Sequence, residues 1–395
     1  MSGCKELDEI KTSAGAIDIS AREINDAQCR LIAYALENSR VHTINLETNE
    51  IGDGGAVALA QALRMNKNLR SLNLQDNEIE SGGAREIAEA LRTNEVLEVL
   101  NLGFNNIKDE GGLALAEAVA CNRSLRALSL NSTERFGSAV QAAFGEACAK
   151  NVVLESLLMH GAVVPLMELR SKRAVTIPAG NFDSNHAVIL GKALGGCPKL
   201  EKLVLRDNPI GAAGAAALAA GLEQAGTLRE LDLFGCGIRD EGTIALASCL
   251  SGTAALCLDD LNLGSNAISD EGGIALASAL SSGPSKVRSL NVLANDGLGS
   301  RFAQALAKAL RSTSTLTSLA LNGASLPLGA LCQGGRSISL CGEGLQDMHA
   351  TIISSVLHHA NDRLVDLKLR SNAIGDEGAT VLAGALGFLC QLDLD

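Results

Sequence analysis

Residues 41–68, 69–96 and 97–124 lie under one another without a gap. Each segment opens on Leu or Val, carries aliphatic residues at its fourth and sixth positions, and has Asn at the ninth. Ile follows at the eleventh, Gly at the fifteenth, and then an Ala- and Leu-rich run such as "ALAQAL". A period near 28 residues constrains the fold more than any composition can. One such segment cannot bury its own apolar face, so the units must stack.

Within a unit, the aliphatic–x–aliphatic half predicts a short strand with alternate side chains inward. The second half has apolar residues at helical spacing, as in Ala56, Leu59, Ala60 and Leu63. Asp53, Asp109, Asp240, Asp270 and Asp376 stand two residues before the repeat Gly. There a carboxylate can accept from free N–H groups and meet the positive end of the helix dipole. Aromatic residues are only 2% of the chain while 47% is hydrophobic, so Leu, Ile, Val and Ala must fill many thin layers.

The pattern LxxLxLxxNxIxxxGxxxLAxAL resembles the ribonuclease-inhibitor class of leucine-rich repeats, also used in Ran GTPase-activating proteins and NOD-like receptors. The resemblance covers nearly the whole chain. It implies an α/β fold: a curved, horseshoe-shaped solenoid with a parallel sheet on the concave side and helices outside. It also implies a ladder of ninth-position side chains bonded to neighbouring backbone. Its rungs here are Asn49, Asn77, Asn105, Asn208, Asn266, Asn295 and Asn372, with Cys236 as the family's accepted alternative. Arg22, Thr133 and Gly180 stand where Asn is expected, which predicts interruptions. About fourteen units at roughly 4.8 Å per strand give an expected sheet contour of about 65 Å.

Two stretches break the rhythm in the same way. "VPLMELRSKR" and "LPLGALCQGG" replace the expected helix, and Pro165, Leu166, Leu169 and His186 align with Pro327, Leu328, Leu331 and His349. The amino-terminal "LDEIK" repeats the motif more faintly. A second period of about 160 residues therefore runs through a single solenoid spanning 1–395, with blocks at 1–170, 171–334 and an incomplete 335–395. We read the breaks as a duplicated block rather than docking gaps, since neighbour-only contacts tolerate shortening. The closing "LCQLDLD" starts another strand without a capping unit, which predicts a piece of a longer protein.

The net charge of −12 argues against nucleic acid and anionic membranes as partners. No catalytic motif occurs: GxSxG, GxxxxGK[ST] and HExxH are missing. The chain therefore reads as a non-enzyme without cofactor, metal or small-molecule substrate. His358-His359 reads as a helix-end pair rather than a metal site. The 11 cysteines show no zinc spacing, and Cys29, Cys121, Cys148 and Cys249 read as small buried or semi-buried thiols. With no apolar leader, this suggests a reducing cytoplasm or nucleus.

Function then falls to the concave face. In the early units Thr43, Asn45, Glu47, Ser71, Asn73, Gln75, Asn101 and Phe104 should line it. Further on come Lys202, Arg206, Glu230, Asp232, Phe234 and Asp260, with Arg229 and Asp259 at the rim. Arg206 and Phe234 share one repeat position in adjacent units, within reach of a cation–π contact. We expect Phe104, Phe234, Arg206, Arg229, Lys202, Asp232 and Asp260 to meet a protein partner, because hot spots favour aromatics and Arg. Covering apolar turn edges is the competing role for the two phenylalanines. The leading function is a protein–protein interaction scaffold. The alternatives are a GTPase-activating protein resembling the Ran-directed family and a fragment of a NOD-like receptor.

Overall fold

Short strands and helices alternate along the chain. The first run is β1 (Ala16–Asp18), α1 (Asp26–Leu36), β2 (Thr43–Asn45), α2 (Asp53–Met65), β3 (Ser71–Asn73), α3 (Ser81–Leu91), β4 (Val99–Asn101), α4 (Asp109–Cys121), β5 (Ala127–Leu130), α5 (Ser138–Lys150), β6 (Ser156–Met159), β7 (Ala162–Val164) and α6 (Leu166–Ser171). The second is β8 (Ala174–Thr176), α7 (Ser184–Ala193), β9 (Lys202–Val204), α8 (Gly211–Leu222), β10 (Glu230–Asp232), α9 (Arg239–Gly252), β11 (Asp260–Asn262), α10 (Asp270–Ser282), β12 (Ser289–Asn291), α11 (Ser300–Leu310), β13 (Ser318–Leu321), β14 (Ala324–Leu326) and α12 (Leu328–Gln333). Last come β15 (Ser337–Ser339), α13 (Asp347–Leu357), β16 (Asp366–Lys368), α14 (Asp376–Gly384) and β17 (Gln391–Asp393).

The structure is a computed structural model that describes residues 7, 10–131, 136–252, 256–282, 284–312, 315–333, 337–357, 364–385 and 391–393. Thr133, Gly334-Gly335, His358-His359 and Asp395 lie outside the described residues. The chain divides into two compact units, Met1–Ser171 with Val188–Cys197, and Lys172–Ala187 with Pro198–Asp395.

Parallel strands pair so that equivalent residues face one another: Ile44 opposite Leu72, Leu72 opposite Leu100, and Leu100 opposite Leu128. In β1–β4 and β8–β12 the central residue turns inward to meet the apolar stripe of the helix behind it. Leu102 and Leu233, at one repeat position in the two units, are both buried. The helix stripe is largely Ala (Ala56, Ala60 and Ala62 in α2), which lets helix and sheet approach closely and leaves little room for rings.

The strands form three sheets of seven, seven and three strands, where the sequence suggests one contour. The repeated break is the reason. Neither interruption merely lacks a helix. β6 turns back on itself through His160 (φ 46°) and Gly161 (φ 83°) to pair with β7 antiparallel. β13 does the same into β14 through Asn322 (φ 42°) and Gly323 (φ 81°). Two successive positive φ values make the type I′ turn that suits a two-residue hairpin. Each antiparallel strand closes a sheet, and Pro165 or Pro327 then accepts the first hydrogen bond of a six-residue helix. Those helices bury Leu166 and Leu169, or Leu328 and Leu331.

The helix-start carboxylates work across repeats. Asp26 accepts from the Gly52 and Gly55 amides (both 2.8 Å), at the start of the next helix rather than its own. Asp53 reaches Glu80, Asp109 reaches Gly137, Asp270 reaches Gly299 and Phe302, and Asp347 reaches Gly375. This is why the N-cap positions Gly52 and Glu80 carry no capping side chain of their own; at Lys108 the Ser81 hydroxyl of the preceding repeat accepts from the amide instead (3.1 Å). It also fixes a glycine: a Cβ on Gly82 would sit 2.4 Å from the Asp53 carboxylate.

Candidate strand-face binding site

The ninth-position side chains are structural. Asn49 donates to the carbonyls of Ile19 (3.1 Å) and Leu46 (2.9 Å) and accepts from the Arg22 and Ile24 amides. Asn77, Asn105, Asn208, Asn266, Asn295 and Asn372 make the equivalent bonds to carbonyls. Cys236 substitutes a thiol that donates to the Leu205 carbonyl at 3.2 Å. Burial pushes that thiol up to about 11, so it stays protonated and keeps its donor.

A second buried row escaped the sequence reading. Asn66, Asn94, Asn122 and Asn151 follow helices α2, α3, α4 and α5, and all are buried. Asn94 donates to the Leu63 carbonyl (2.7 Å), in the last turn of the preceding repeat's helix, and accepts from the Val96 and Leu97 amides. Asn122 and Asn151 do the same one unit further on. Arg170 in α6 ends the row, donating to the carbonyls of Cys148 (2.6 Å) and Leu154 (2.7 Å). Burial lowers the Arg170 pKa, with the nearby Cys148 and Cys197 opposing. The four-residue agreement in spacing was the available signal.

What remains exposed is the outer strand face. In the first unit it is an interlocked amide row: Asn45 donates to Asp18, Asn73 to Asn45 and Glu47, Gln75 to Glu47, and Asn101 to Gln75. Asn45, Asn73 and Asn101 also accept from the backbone amide two residues on. Phe104 stands beyond this row, 42% exposed, with a left-handed φ of 53°.

In the second unit the equivalent face is charged. Lys202 pairs with Glu230 across β9 and β10, which holds the ammonium pKa above its ordinary value. Arg206 lies over the Phe234 ring, 4.7 Å from its centroid, and 3.6 Å from the Asp232 carboxylate. The ring rests on the Gly264 backbone, where a Cβ would come within 2.7 Å of it. Burial, and then the charge of Glu230, raises the Asp260 pKa. Asp232 needs correcting as a partner contact: it is buried, and its Oδ1 accepts from the Phe234 amide at 3.0 Å. It positions Phe234 and Arg206 instead of presenting itself. Cys121 is likewise corrected, since its thiol is exposed, while Cys29, Cys148 and Cys249 are buried.

A third row runs along the residues that precede the strands and alternates in sign. Arg70 pairs with Glu98, and Arg126 lies between Glu98 (3.9 Å) and Glu155 (2.5 Å). In the second unit Arg173 pairs with Glu201 (3.4 Å), and Asp259 sits between Arg229 (3.1 Å) and Arg288 (3.5 Å). Lys202, Arg206, Asp232, Phe234 and Asp260 thus share the outer face of β9–β11 and the turns behind it. Arg229 belongs to the row beside it, and Phe104 to the first unit. Among the described residues, no group of three His, Cys, Asp or Glu is placed to hold a metal ion. No described helix is long and apolar enough to cross a membrane.

Seven segments, 37–60, 66–88, 93–116, 196–219, 227–247, 256–277 and 363–383, match the Leucine Rich repeat family model. With the strand–helix units above, they define the architecture as a leucine-rich-repeat fold. Among solved structures, leiomodin-1 actin-binding site 2 matches at 22% identity and TM-score 0.33, covering 36% of this chain and 85% of its own. An internalin, inlF of Listeria monocytogenes, matches at 16% identity and TM-score 0.33, covering 99% of this chain and 88% of its own. Comparison with curated proteins finds no match.

Proposed function

We propose that the chain is a protein-binding scaffold whose repeats offer their outer strand face to a partner. The carrying observation is the Arg206–Phe234 stack of the second unit. A guanidinium and an aromatic ring, the side chains most often found at hot spots, are held in one arrangement by Asp232 and Gly264. Little conformational freedom is left for a partner to freeze out. Lys202, Glu230 and Asp260 give the stack a charged surround, suited to orienting a polar partner more than to tightening it.

Replacing Arg206 and Phe234 together by Ala, and comparing proteins captured from the source cell, tests this reading. The variant is expected to lose at least one partner held by the wild type while keeping its circular dichroism. An unchanged partner set would remove the stack from the interface.

A further inference from the structure

The alternating charge row ends differently in the two units. In the first unit the last cation, Arg126, has a carboxylate on each side, Glu98 and Glu155. In the seven-stranded sheet of the second unit the last cation of the row is Arg288, and among the described residues Asp259 is the carboxylate that flanks it. The position equivalent to Glu155 is Thr317. Both follow from one backbone pattern: the Glu155 amide donates to the Arg126 carbonyl, and the Thr317 amide to the Arg288 carbonyl. Both residues also accept, through their carbonyls, from the first turn of the short helix that follows.

A second cation adds to the imbalance. Lys286 stands two residues before Arg288, where the first unit has Ser124 two residues before Arg126. Around Lys286, Arg288 and Thr317 opens a cleft of about 550 Å³, bounded also by Arg229, Asp259 and Cys257. Three cations face one carboxylate there, in a chain whose net charge is −12. The Lys286 ammonium is 3.5 Å from the Cys257 sulfur.

We propose that this cleft binds a carboxylate-bearing segment of a protein partner, whose Asp or Glu side chain takes the place that Glu155 fills in the first unit. Glu155 is the internal evidence for the ligand's chemistry: the same row, one unit earlier, is completed by a carboxylate on an arginine. Arg288 offers a planar fork that matches a carboxylate with two parallel hydrogen bonds. Lys286 adds a second positive charge to the lining. The inference rests on the protein-binding reading but names a separate surface, beside the Arg206–Phe234 stack.

The test is titration of the full chain with a fluorescein-labelled octaglutamate peptide at about 0.15 M salt, where remote surface charges are screened. Wild type is expected to bind saturably. Arg288→Ala and Lys286→Ala should each weaken binding about tenfold or more. Thr317→Glu, which supplies the missing carboxylate from within, should abolish it. Arg126→Ala, in the balanced row, should leave it unchanged. All four side chains are solvent-exposed, and thermal unfolding checks that the variants fold.

No binding by wild type, equal binding by wild type and Thr317→Glu, or equal weakening by Arg126→Ala would each overturn the proposal. Binding of inorganic phosphate without binding of the peptide would overturn the carboxylate assignment. Capture experiments with the Arg206/Phe234 double variant read a different surface. Failure here alongside loss of partners there therefore defeats only this inference.

Discussion

The two units solve one problem by different means. Where a helix ends and the chain turns toward the next strand, backbone amides and carbonyls are left without helical partners. The first unit satisfies them with side chains, Asn66, Asn94, Asn122 and Asn151, and ends the row on Arg170. In the second unit the corresponding residues are Ala225, Ala255, Pro284 and Thr313, and the residue matching Arg170 is Cys332. There the Leu228 amide bonds directly to the Ala225 carbonyl at 3.1 Å. A side-chain ladder couples each repeat to the one before it, whereas a backbone turn is local. The first unit is therefore expected to be the more cooperative array.

The comparison breaks most sharply at Asn94. Asn94→Ala removes an acceptor from the buried Leu97 amide and the part-buried Val96 amide, and a donor from the Leu63 carbonyl, at a cost of about 3 kcal/mol. Hydrogen exchange should rise at the Val96 and Leu97 amides together. Ala225→Asn, the reverse experiment, should gain less than about 1 kcal/mol, because the Leu228 amide already has an acceptor. The inward leucines serve as the common reference: Leu102→Ala and Leu233→Ala should each cost roughly 2–5 kcal/mol. A smaller but related difference is expected at the end of the row. Arg170→Ala should cost about 2 kcal/mol by releasing two carbonyls from a charged donor. Cys332→Ala should cost less than about 1 kcal/mol. Equal losses at the two sites in chemical denaturation would abolish the contrast.

Acid should separate the units as well. Gln28 in the first unit accepts from the Asn25 amide at 3.0 Å and completes a capping box. In the second unit His349 takes that role, accepting from the Gln346 amide (2.9 Å) while its other ring nitrogen donates to the Leu321 carbonyl (3.0 Å). The Gln346 bond needs the neutral ring, because a protonated Nδ1 cannot accept, whereas the bond to Leu321 survives protonation. Burial lowers the His349 pKa below 6.5, so the unfolded chain takes up the proton first. The stability His349 contributes is complete above about pH 6.5 and is lost as pH falls toward its folded pKa. Melting of the second unit should therefore be insensitive to this group above about pH 6.5 and drop as pH falls below it, and His349→Gln should flatten the drop. An identical pH slope in that variant would show that other groups carry it.

Much of this was legible in the chain. The 28-residue spacing places strands, helices and the ninth-position ladder, because one unit's burial pattern repeats without change. The hairpins were missed although Asn322-Gly323 is a strong type I′ signal. The mirrored break looked like a helix lost, and His160-Gly161 carries the signal only faintly. Cross-repeat capping by Asp53 was hidden for a different reason. Sequence shows a carboxylate next to its own helix, while stacking brings the following helix start within 2.8 Å of it. Strand alternation likewise counts Asp232 as outward, but cannot reveal that a short side chain folds back onto the amide two residues on. The candidate face was thus readable as a set of positions. Which side chains hold the backbone and which are left over required the geometry.

The two phenylalanines give the finest form of the comparison. Phe234 has the support of Gly264 beneath it and Arg206 above. Phe104 stands where the repeat demands a left-handed residue; Thr48, Asp76 and Ser371 hold the same conformation with small or polar side chains. For a bulky residue that backbone is strained. Phe104→Asn should raise stability by about 0.5–1 kcal/mol by relieving it, whereas Phe234→Ala should lower stability by about 1 kcal/mol through lost packing. If Phe104 is kept for a partner, Phe104→Asn will weaken capture of that partner while melting at a higher temperature. A variant that is more stable and binds as well as wild type would assign Phe104 to covering the turn. A variant that is less stable would mean that the ring supports the repeat more than its backbone strains it.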